Sequence, residues 1–236
     1  MSAQQTPFRT IHHSTSAEPA GCQPFPPFQL SIATPGEAFT KDTVNAALME
    51  GFGAGRQAVE ALIQARFANA YDARIARFMP RLFSLQRAGG TPLGAFGLRE
   101  ASVHALFLER YLDQPIEKAI AGQLGQPVDR NAIVEIGQFA GTGAGAFRTL
   151  ILRLTERLHQ DGHHWVVFTG TTALRNAFTR LGLAPRELGI ADPLRLAADE
   201  RDDWGSYYRH SPRVMFGDIR EGFAAISARL ATGDAA

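Results

Sequence analysis

The most constraining stretch of the sequence is QFAGTGAGAFR, residues 138–148, in which three glycines separate two strongly patterned runs. The run before it, AIVEIGQFA at 132–140, is rich in β-branched residues and predicts a strand. A second buried strand is predicted at HWVVFTG, residues 164–170. The run between them predicts a helix that ends at Asp161-Gly162 and whose apolar face comprises Phe147, Leu150, Ile151, Leu154 and Leu158. These elements form a βαβ unit, so we expect the two strands to be parallel neighbours with a right-handed crossover.

The segments before this unit predict antiparallel strands and further helices. FQLSIAT at 28–34 alternates apolar and polar residues and predicts a first strand. Apolar residues at helical spacing predict a helix from about Gln57 to Phe78, which Pro80 helps to end. RLFSLQR and LGAFGLRE flank the Gly-rich turn AGGTP and predict a hairpin. HALFLERYLDQPIEKAIAGQLG predicts helical pieces around Pro115.

The segments after the unit complete the predicted fold. TALRNAFTRLGL predicts a short helix closed by Gly182, and APRELGIA predicts the last long strand. We expect an α/β (α+β) fold with a mixed central sheet, helices on both of its faces and a β–Gly-loop–α–β core. No linker divides the patterned part of the chain, so one domain is expected over residues 27–230, between a disordered tail at 1–26 and a frayed end at 231–236.

Composition excludes several classes of function. The formal net charge is +1, so no global basic field indicates binding to nucleic acid or an anionic membrane. The single cysteine, Cys22, cannot form an intrachain disulfide. Because the chain has no apolar run of about 18 residues and no signal-peptide pattern, we expect a cytoplasmic protein without a transmembrane segment. His163 and His164 should point to opposite faces of a strand, so no metal site is expected, and no G-x-S-x-G serine motif is present.

The glycine turn has two interpretations. Amides at a helix N-terminus bind anions, and glycines let a ligand approach the backbone, so Gly141, Gly143 and Gly145 suit a phosphate or pyrophosphate, with Arg148 adding a charge. Alternatively, the glycines only let the helix pack closely on the sheet. The chain has no Lys-Ser or Lys-Thr pair for a P-loop, and the strand that ends at Gly170 has no acidic residue for a dinucleotide fold.

QFAGTG at 138–143 resembles the Q/R-x-x-G-x-G/A signature of GNAT acyltransferases, in their context of strand, long helix, strand and short helix. In that family the loop amides hold the pyrophosphate of coenzyme A, and the pantetheine lies where two parallel strands splay apart. The resemblance implies that the cofactor-binding residues are Gln138, Phe139, Gly141, Gly143, Gly145, Ala146 and Arg148. Many members have a tyrosine general acid on the short helix, where this chain has Phe178.

Two further resemblances concern whole families. VEIGQFA at 134–140 resembles the E-x-S-R-F-A stretch of acyl-homoserine lactone synthases, which take acyl carrier protein donors; Glu135 matches their acidic residue and Gln138 stands in place of their arginine. The chain is also similar to the thermostable hemolysin family, a family grouped with the GNAT-like folds and named for red-cell lysis. That likeness runs through LFLERYLDQPIE, IVEIGQFA, WVVFTGTTALRNAFTRLGL, ADPLRL and WGSYY.

Three groups of side chains are candidates for catalysis or acceptor binding. Glu135 on the predicted strand is a candidate general base, since a half-buried carboxylate has a raised pKa; the alternative is a carboxylate paired with an arginine. Glu109 and Arg110 are candidates for acceptor binding, or for a solvated edge with ion pairs. In WGSYYRHSP, Trp204 is a candidate for lining an apolar channel. Tyr207 or Tyr208 is a candidate for the general acid that Phe178 cannot supply. The alternative is that at least one of these tyrosines packs in the core of a C-terminal strand.

The residues and the resemblances together predict a GNAT-like N-acyltransferase. It would move an acyl group, expected to be fatty, from a coenzyme A or acyl carrier protein thioester to a small amine acceptor. The phosphopantetheine donor would act as a co-substrate, and no tightly bound cofactor is expected. The alternative is a membrane-lytic hemolysin without enzymatic activity.

Overall fold

A computed structural model of the chain describes residues 46–87, 90 and 92–231. The predicted first strand at 28–34, the predicted N-terminal tail with Cys22, and residues 232–236 of the predicted C-terminal tail lie outside these residues. Within them the chain forms a seven-stranded mixed sheet with helices on both faces, as the sequence predicts. The strands are β1 (Ala47–Glu50), β2 (Arg81–Gln86), β3 (Pro92–Glu100), β4 (Ile133–Gly141), β5 (Trp165–Gly170), β6 (Arg186–Ile190) and β7 (Arg213–Asp218).

The strand order is β1-β2-β3-β4-β5-β7-β6. The β4–β5 pair is parallel and every other pair is antiparallel, so the predicted βαβ unit and the predicted hairpin of β2 and β3 are both confirmed. The helices are α1 (Gly53–Tyr71), α2 (Ile116–Leu124), α3 (Ala144–Gln160), α4 (Thr172–Arg180), α5 (Ala198–Asp202) and α6 (Ile219–Ala231). A short 3-10 turn, Phe107–Tyr111, precedes α2, which confirms helical pieces around Pro115.

The core is divided between the two faces of the sheet. On one face α3 packs on β3 and β4 and is covered in turn by α6, with Leu150, Leu154 and Leu158 buried as the helical spacing predicts. On the other face α1 packs on β2, β3 and β4 through Val59, Ile63 and Phe67. Every residue of β4 from 133 to 136 is buried, which agrees with a central strand covered on both sides.

Strands β4 and β5 separate beyond their first four residue pairs. Their register runs from Ile133↔Trp165 to Ile136↔Phe168, whereas β4 continues to Gly141 and stays paired with β3 as far as Gly94↔Gly141. Strand β5 likewise continues to Gly170 alongside β7. A gap therefore opens in the middle of the sheet at the carboxyl ends of its two parallel strands.

A bulge in β4 lies at the start of this gap. The β3–β4 register shifts between Gly97↔Gly137 and Ala95↔Ala140, and Gln138 adopts a left-handed backbone conformation with φ 54°. A bulge of this kind bends a strand and interrupts its ladder. The Gln138 side chain holds the bulge by accepting the Met79 amide at 3.1 Å and donating to the Arg77 carbonyl at 2.7 Å.

Helix α1 ends at Tyr71, so the prediction that it reaches Phe78 is wrong. Asp72 takes the left-handed conformation that ends the helix, with φ 53°, and the segment that follows forms neither a helix nor a strand. Ala73 and Ile75 are buried in that segment, so their burial does not reflect a helical face. Contacts with the segment at 203–206, described below, fix the turn.

The C-terminal part of the chain differs from the prediction in two ways. APRELGIA does form a strand, β6, but it is not the last one: β7 inserts between β5 and β6, and α6 follows it. Tyr207 and Tyr208 lie in a 3-10 turn, Tyr207–His210, and not in a strand. The βαβ unit is local in sequence, whereas the position of β7 depends on pairing with two distant strands.

A cleft through the splayed strands as the candidate active site

A cavity of about 2090 Å³ passes through the gap between β4 and β5. Its walls include residues on both faces of the sheet: Arg66, Tyr71 and Trp204 on the α1 face, and Leu154 and Phe178 on the α3 face. Cavities that hold one small ligand measure about 300–1,000 Å³. This cavity therefore has room for two ligands that meet inside the sheet.

The three predicted loop glycines differ in what surrounds them. A Cβ on Gly141 would lie 2.9 Å from the Phe147 ring, so this glycine allows α3 to pack closely on β4. A Cβ on Gly143 or Gly145 would meet no atom within 4 Å. The packing interpretation thus describes Gly141, and the open space that a ligand requires lies beside Gly143 and Gly145.

The first turn of α3 presents its amides to the cleft. Gly143 is the N-terminal cap residue and no side chain caps the helix, so the amides that follow face the open space beside the glycines. Arg148 and Phe139 line the cavity, and Phe139 packs edge-on against Phe147 at 4.7 Å. Ala146 differs from the other predicted cofactor residues because its side chain is buried in the core and lies outside the cavity lining.

An apolar branch of the cavity extends along β5 on the α3 face. It runs from Phe168 to Val166, towards the amino end of that strand, and its walls come from α3, α4, α6 and the segment after α4. Gly222 of α6 also lines the cavity and lies close to Leu183 and Thr155, since a Cβ there would be 3.4 Å and 3.7 Å from them. The apolar side chains are Leu154, Leu158, Val166, Phe168, Leu174, Phe178, Leu181, Leu183, Ile219 and Ala225.

Glu135 lies on the floor of the cleft on the α1 face, with only 3% of its surface exposed. Its carboxylate accepts the Phe107 and Leu108 amides at 2.9 and 3.0 Å, and Arg99 donates to it at 3.3 Å. Burial raises the pKa of Glu135 above its ordinary value, although the Phe107 amide and the charge of Arg99 act against the shift. A carboxylate has about four acceptor positions, so one remains to take a proton.

Glu109 and Arg110 are placed differently from each other. Glu109 is not part of the cavity lining; its carboxylate binds Arg130 at 2.6 and 2.9 Å and accepts the Leu106 and Ile116 amides. This placement favours a structural role for Glu109, that of joining the 3-10 turn to α2. Arg110 lines the cavity and forms an ion pair with Glu200.

Trp204, Tyr207 and Tyr208 belong to an aromatic cluster beside the cleft. Trp204 and Tyr207 line the cavity, with their rings 5.1 Å apart. The Tyr207 hydroxyl donates to the Thr169 carbonyl at 3.3 Å. Tyr208 lies outside the cavity lining, and its hydroxyl is 2.6 Å from that of Tyr111.

Several lining residues carry no motif and are not predicted from the sequence. Tyr71 and Thr171 both line the cavity, and Thr171 directly follows β5. Positive charges are also concentrated on the α1 face, from residues distributed over four segments of the chain. These charged lining residues are Arg66, Arg74, Arg77, Arg99 and Arg110, opposed on the same face by Glu135, Glu200 and Asp203.

Neither a metal site nor a membrane span is found in the described part of the chain. Residues 46–87, 90 and 92–231 contain no group of three His, Cys, Asp or Glu side chains arranged to hold a metal ion. In the same residues, each helix is too short or too polar to cross a membrane.

The fold is similar to those of solved structures that include an N-acyl amino acid synthase. One similar structure is that of TofI in a ternary complex with an inhibitor and MTA, with a TM-score of 0.51 and 15% sequence identity, covering 78% of this chain and 96% of that chain. Another is FeeM, an N-acyl amino acid synthase from uncultured soil microbes, with a TM-score of 0.51 and 13% identity, covering 76% and 98%. With the splayed parallel strands, they confirm the fold of the GNAT-like acyltransferase superfamily.

Sequence comparison gives a match at the level of the family. A family model described as thermostable hemolysin matches residues 50–223, well over half of the chain. A comparison with curated proteins finds no match.

Proposed function

The chain belongs to the thermostable hemolysin family, and from this premise and its fold we propose that it is an N-acyltransferase. It moves a fatty acyl group from a thioester of coenzyme A or acyl carrier protein to a small amine acceptor. The observation that carries the proposal is the cleft, which joins an open helix N-terminus, an apolar branch and a buried carboxylate through one gap in the sheet.

The donor's phosphate groups are proposed to bind at the first turn of α3. The exposed amides beside Gly143 and Gly145 and the positive end of the helix dipole favour an anion there. Arg148, which directly follows this turn, adds a positive charge to the cavity wall. The pantetheine arm then lies between β4 and β5, where the strands do not pair with each other.

The acyl chain is proposed to occupy the apolar branch along β5. Burying a methylene group stabilises a complex by about 0.8 kcal/mol, so a branch lined by leucine and phenylalanine side chains favours a long acyl chain over acetyl. The branch therefore supports a fatty donor.

The chemistry is proposed to take place where the two faces meet. The amides of the β4 bulge near 137–139 lie beside the gap and are suited to hold the oxyanion of the tetrahedral intermediate. An amine entering from the α1 face passes the cluster of arginines and reaches Glu135. The free acceptor position of Glu135 takes the amine proton as the nitrogen attacks.

The first experiment is calorimetric titration of the purified protein with palmitoyl-CoA below its micelle-forming concentration, repeated with palmitoylated carrier protein. Gly143→Asp puts a carboxylate in the open space at the α3 N-terminus and should abolish saturable binding. Gly55→Asp is the matched control, because Gly55 is also an open glycine at the N-terminal end of a helix but lies outside the cavity lining. If the protein binds neither palmitoyl-CoA nor palmitoylated carrier protein, the proposal is rejected.

A lytic protein without enzymatic activity is the second candidate, and the family's name favours it. In the acyltransferase proposal, a surface-active acylated product accounts for lysis without a pore. The two candidates differ in whether the protein alone, freed of lipids and acyl donors, lyses red cells.

A further inference from the structure

Gln138 lies in a strand but has a backbone conformation that strands do not adopt. Three non-glycine residues in the described part of the chain have a left-handed backbone: Asp72, Gln138 and Ser211. Asp72 ends α1 and Ser211 ends a 3-10 turn, which are positions where this conformation is common. Inside a strand it costs free energy and persists only where the surroundings hold it, and such strain is concentrated at functional sites.

The strained residue lies in the bulge of β4. The β3–β4 register places two residues of β4, Gln138 and Phe139, opposite the single residue Phe96 of β3. A bulge leaves its extra residue out of the ladder, so a backbone amide of this pair is available to a ligand. Gln138 and Phe139 both line the cavity, at the point where β4 and β5 separate.

The side chain of Gln138 is bound by the protein itself. Its oxygen accepts the Met79 amide at 3.1 Å, and its nitrogen donates to the Arg77 carbonyl at 2.7 Å. The resemblance to the GNAT signature implies that Gln138 binds the donor. These two bonds instead direct its side chain to the α1 face, where it holds the segment that follows α1.

Met79 packs against the same bulge from the α1 face. Met79 is 5% exposed, and its side chain lies on Gly97 and Gly137, the last β3–β4 pair before the bulge. A Cβ on Gly97 would lie 2.6 Å from the Met79 Cβ, and a Cβ on Gly137 would lie 2.8 Å from the Met79 Cε. The glycine pair therefore makes room for Met79, whose amide Gln138 binds. We call these contacts the Gln138–Met79 clamp.

We propose, on the basis of the acyltransferase function above, that Gln138 is a positioning residue whose clamp with Met79 holds the bulge amides at the acyl carbonyl. As the amine nitrogen bonds to the acyl carbon, the π pair of the carbonyl moves to oxygen, and the bulge amides donate to this oxyanion. When the carbonyl re-forms, the carbon–sulfur bond breaks. The sulfur leaves with the bonding pair and takes a proton from water, and the amine proton passes to Glu135. The Gln138 side chain touches neither substrate and acts through the backbone of the bulge.

The test changes the side chain at position 138 and follows thiol release from palmitoyl-CoA, with hydroxylamine as the amine probe. Gln138→Gly relieves the strain but lacks the side chain, and it should lower kcat by about 10²-fold because misplaced amides stabilise the oxyanion poorly. Gln64→Ala is the matched control. Gln64 donates to the Ile75 carbonyl of the same segment at 3.0 Å but lies outside the cavity lining, so its loss should leave kcat unchanged.

Gln138→Glu adds a pH dependence that a loss of stability alone would not give. A protonated carboxyl group accepts the Met79 amide and donates to the Arg77 carbonyl, as the glutamine does, whereas a carboxylate has no proton to donate. The kcat of this variant, divided by the wild-type kcat at the same pH, should therefore fall by about tenfold or more from about pH 4 to pH 7.

Binding of the unreactive thioether S-heptadecyl-CoA separates positioning from donor binding and from misfolding. Gln138→Gly and Gln138→Glu should bind it with wild-type affinity and stay folded at the assay temperature. Wild-type kcat in Gln138→Gly, a pH-independent ratio for Gln138→Glu, or a loss of affinity as large as the loss of kcat would overturn the role of Gln138 and leave the acyltransferase proposal intact. Wild-type protein that releases no thiol would overturn both.

Discussion

At the scale of single residues, position within the turn decides what a glycine does. Gly141 is required by the closeness of Phe147, whereas Gly143 and Gly145 border empty space at a helix end. Glu109 and Glu135 also have different roles, although each is held by backbone amides. Glu109 and Glu135 both accept two backbone amides, but Glu109 also binds Arg130 twice, and only Glu135 lines the cleft.

Substituting the glycines separates packing from binding. Gly141→Ala should lower the free energy of unfolding by about 1–3 kcal/mol, because its methyl group would clash with Phe147. Gly145→Ala should raise it by about 0.5–1 kcal/mol, since alanine favours a helix and the space is open. Urea unfolding measures both values. Equal effects of the two substitutions would contradict the contrast between close packing at Gly141 and open space at Gly145.

Glu109→Gln should reveal a pH-dependent contribution to stability. Burial raises the pKa of Glu109, but the Arg130 hydrogen bond and the Ile116 and Leu106 amides outweigh it and hold the pKa below its ordinary value of 4.5. A group with a lowered folded pKa stabilises the protein above its unfolded pKa and loses that effect as pH falls through the folded pKa. Glu109→Gln should therefore destabilise by about 2 kcal/mol at pH 7 and progressively less below pH 4.5.

The control for this experiment is Asp113→Asn, which removes a pair with Arg195 in which the Asp113 side chain is 92% exposed. Exposed ion pairs contribute about 0–1 kcal/mol, so this variant should hardly change the free energy of unfolding at pH 7 or at pH 4. A Glu109→Gln effect that is the same at pH 7 and pH 4 would contradict the assigned pKa direction.

At the scale of elements, the number of strands that pair with β4 changes along its length. Its first half pairs with strands on both sides, and its second half pairs with β3 alone. The change occurs at the bulge, where Gln138 is tied to the segment after α1 by two side-chain hydrogen bonds. The end of α1, the bulge and the gap thus form one connected structure, although 59 residues separate Met79 from Gln138.

The bulge predicts an unusual ranking of variants. Gln138→Ala loses two hydrogen bonds and keeps a left-handed backbone, so it should destabilise by about 1–3 kcal/mol. Gln138→Gly loses the same bonds but relieves the backbone strain, and it should be more stable than the alanine variant by about 1 kcal/mol. Thermal and urea unfolding give the order. An alanine variant that is as stable as the glycine variant would contradict strain at this position.

Local patterns predict elements well here and long-range placement poorly. The β4–α3–β5 unit follows from residues 132–170 alone, because each element has a strong period and the glycines mark the turn between the first two. The end of α1 does not follow from the local sequence, because Ile75 and Phe78 continue the helical spacing. In the structure the Asp203 carbonyl accepts the Arg74 amide, and the chain leaves the helical path. Tyr71 follows the same logic, because nothing near it in the sequence indicates that it lines the cleft.

At the scale of the whole molecule, the cavity divides the core, and filling it should stabilise the fold. A ligand that binds only the folded state, present at 100 times its Kd, adds about 2.7 kcal/mol. For a chain of this size that corresponds to a rise in Tm of about 5–11 °C with palmitoyl-CoA. Gly143→Asp should abolish the shift and Gly55→Asp should keep it. An equal shift in both variants would indicate binding outside the cleft.

The family's name leads to a prediction about red cells. Purified protein freed of lipids should not lyse them, whereas an organic extract of a reaction containing protein, palmitoyl-CoA and the amine acceptor should. Haemoglobin release measures both, with Glu135→Gln protein as the control for the extract. Lysis by the lipid-free protein itself would favour the lytic candidate over the acyltransferase.

The cavity reaches solvent on both faces of the sheet, through the exposed Arg74 and Arg77 on one side and the exposed Ala144 and Gly145 on the other. Two separate entrances have a kinetic consequence. Under the acyltransferase proposal, donor and acceptor do not compete for one opening, and both occupy the protein together. Initial-rate plots against one substrate at fixed levels of the other should then intersect instead of running parallel. Free coenzyme A should then compete with the thioester but not with the amine. This inhibition pattern would indicate that the two substrates enter the gap between β4 and β5 from opposite faces of the sheet.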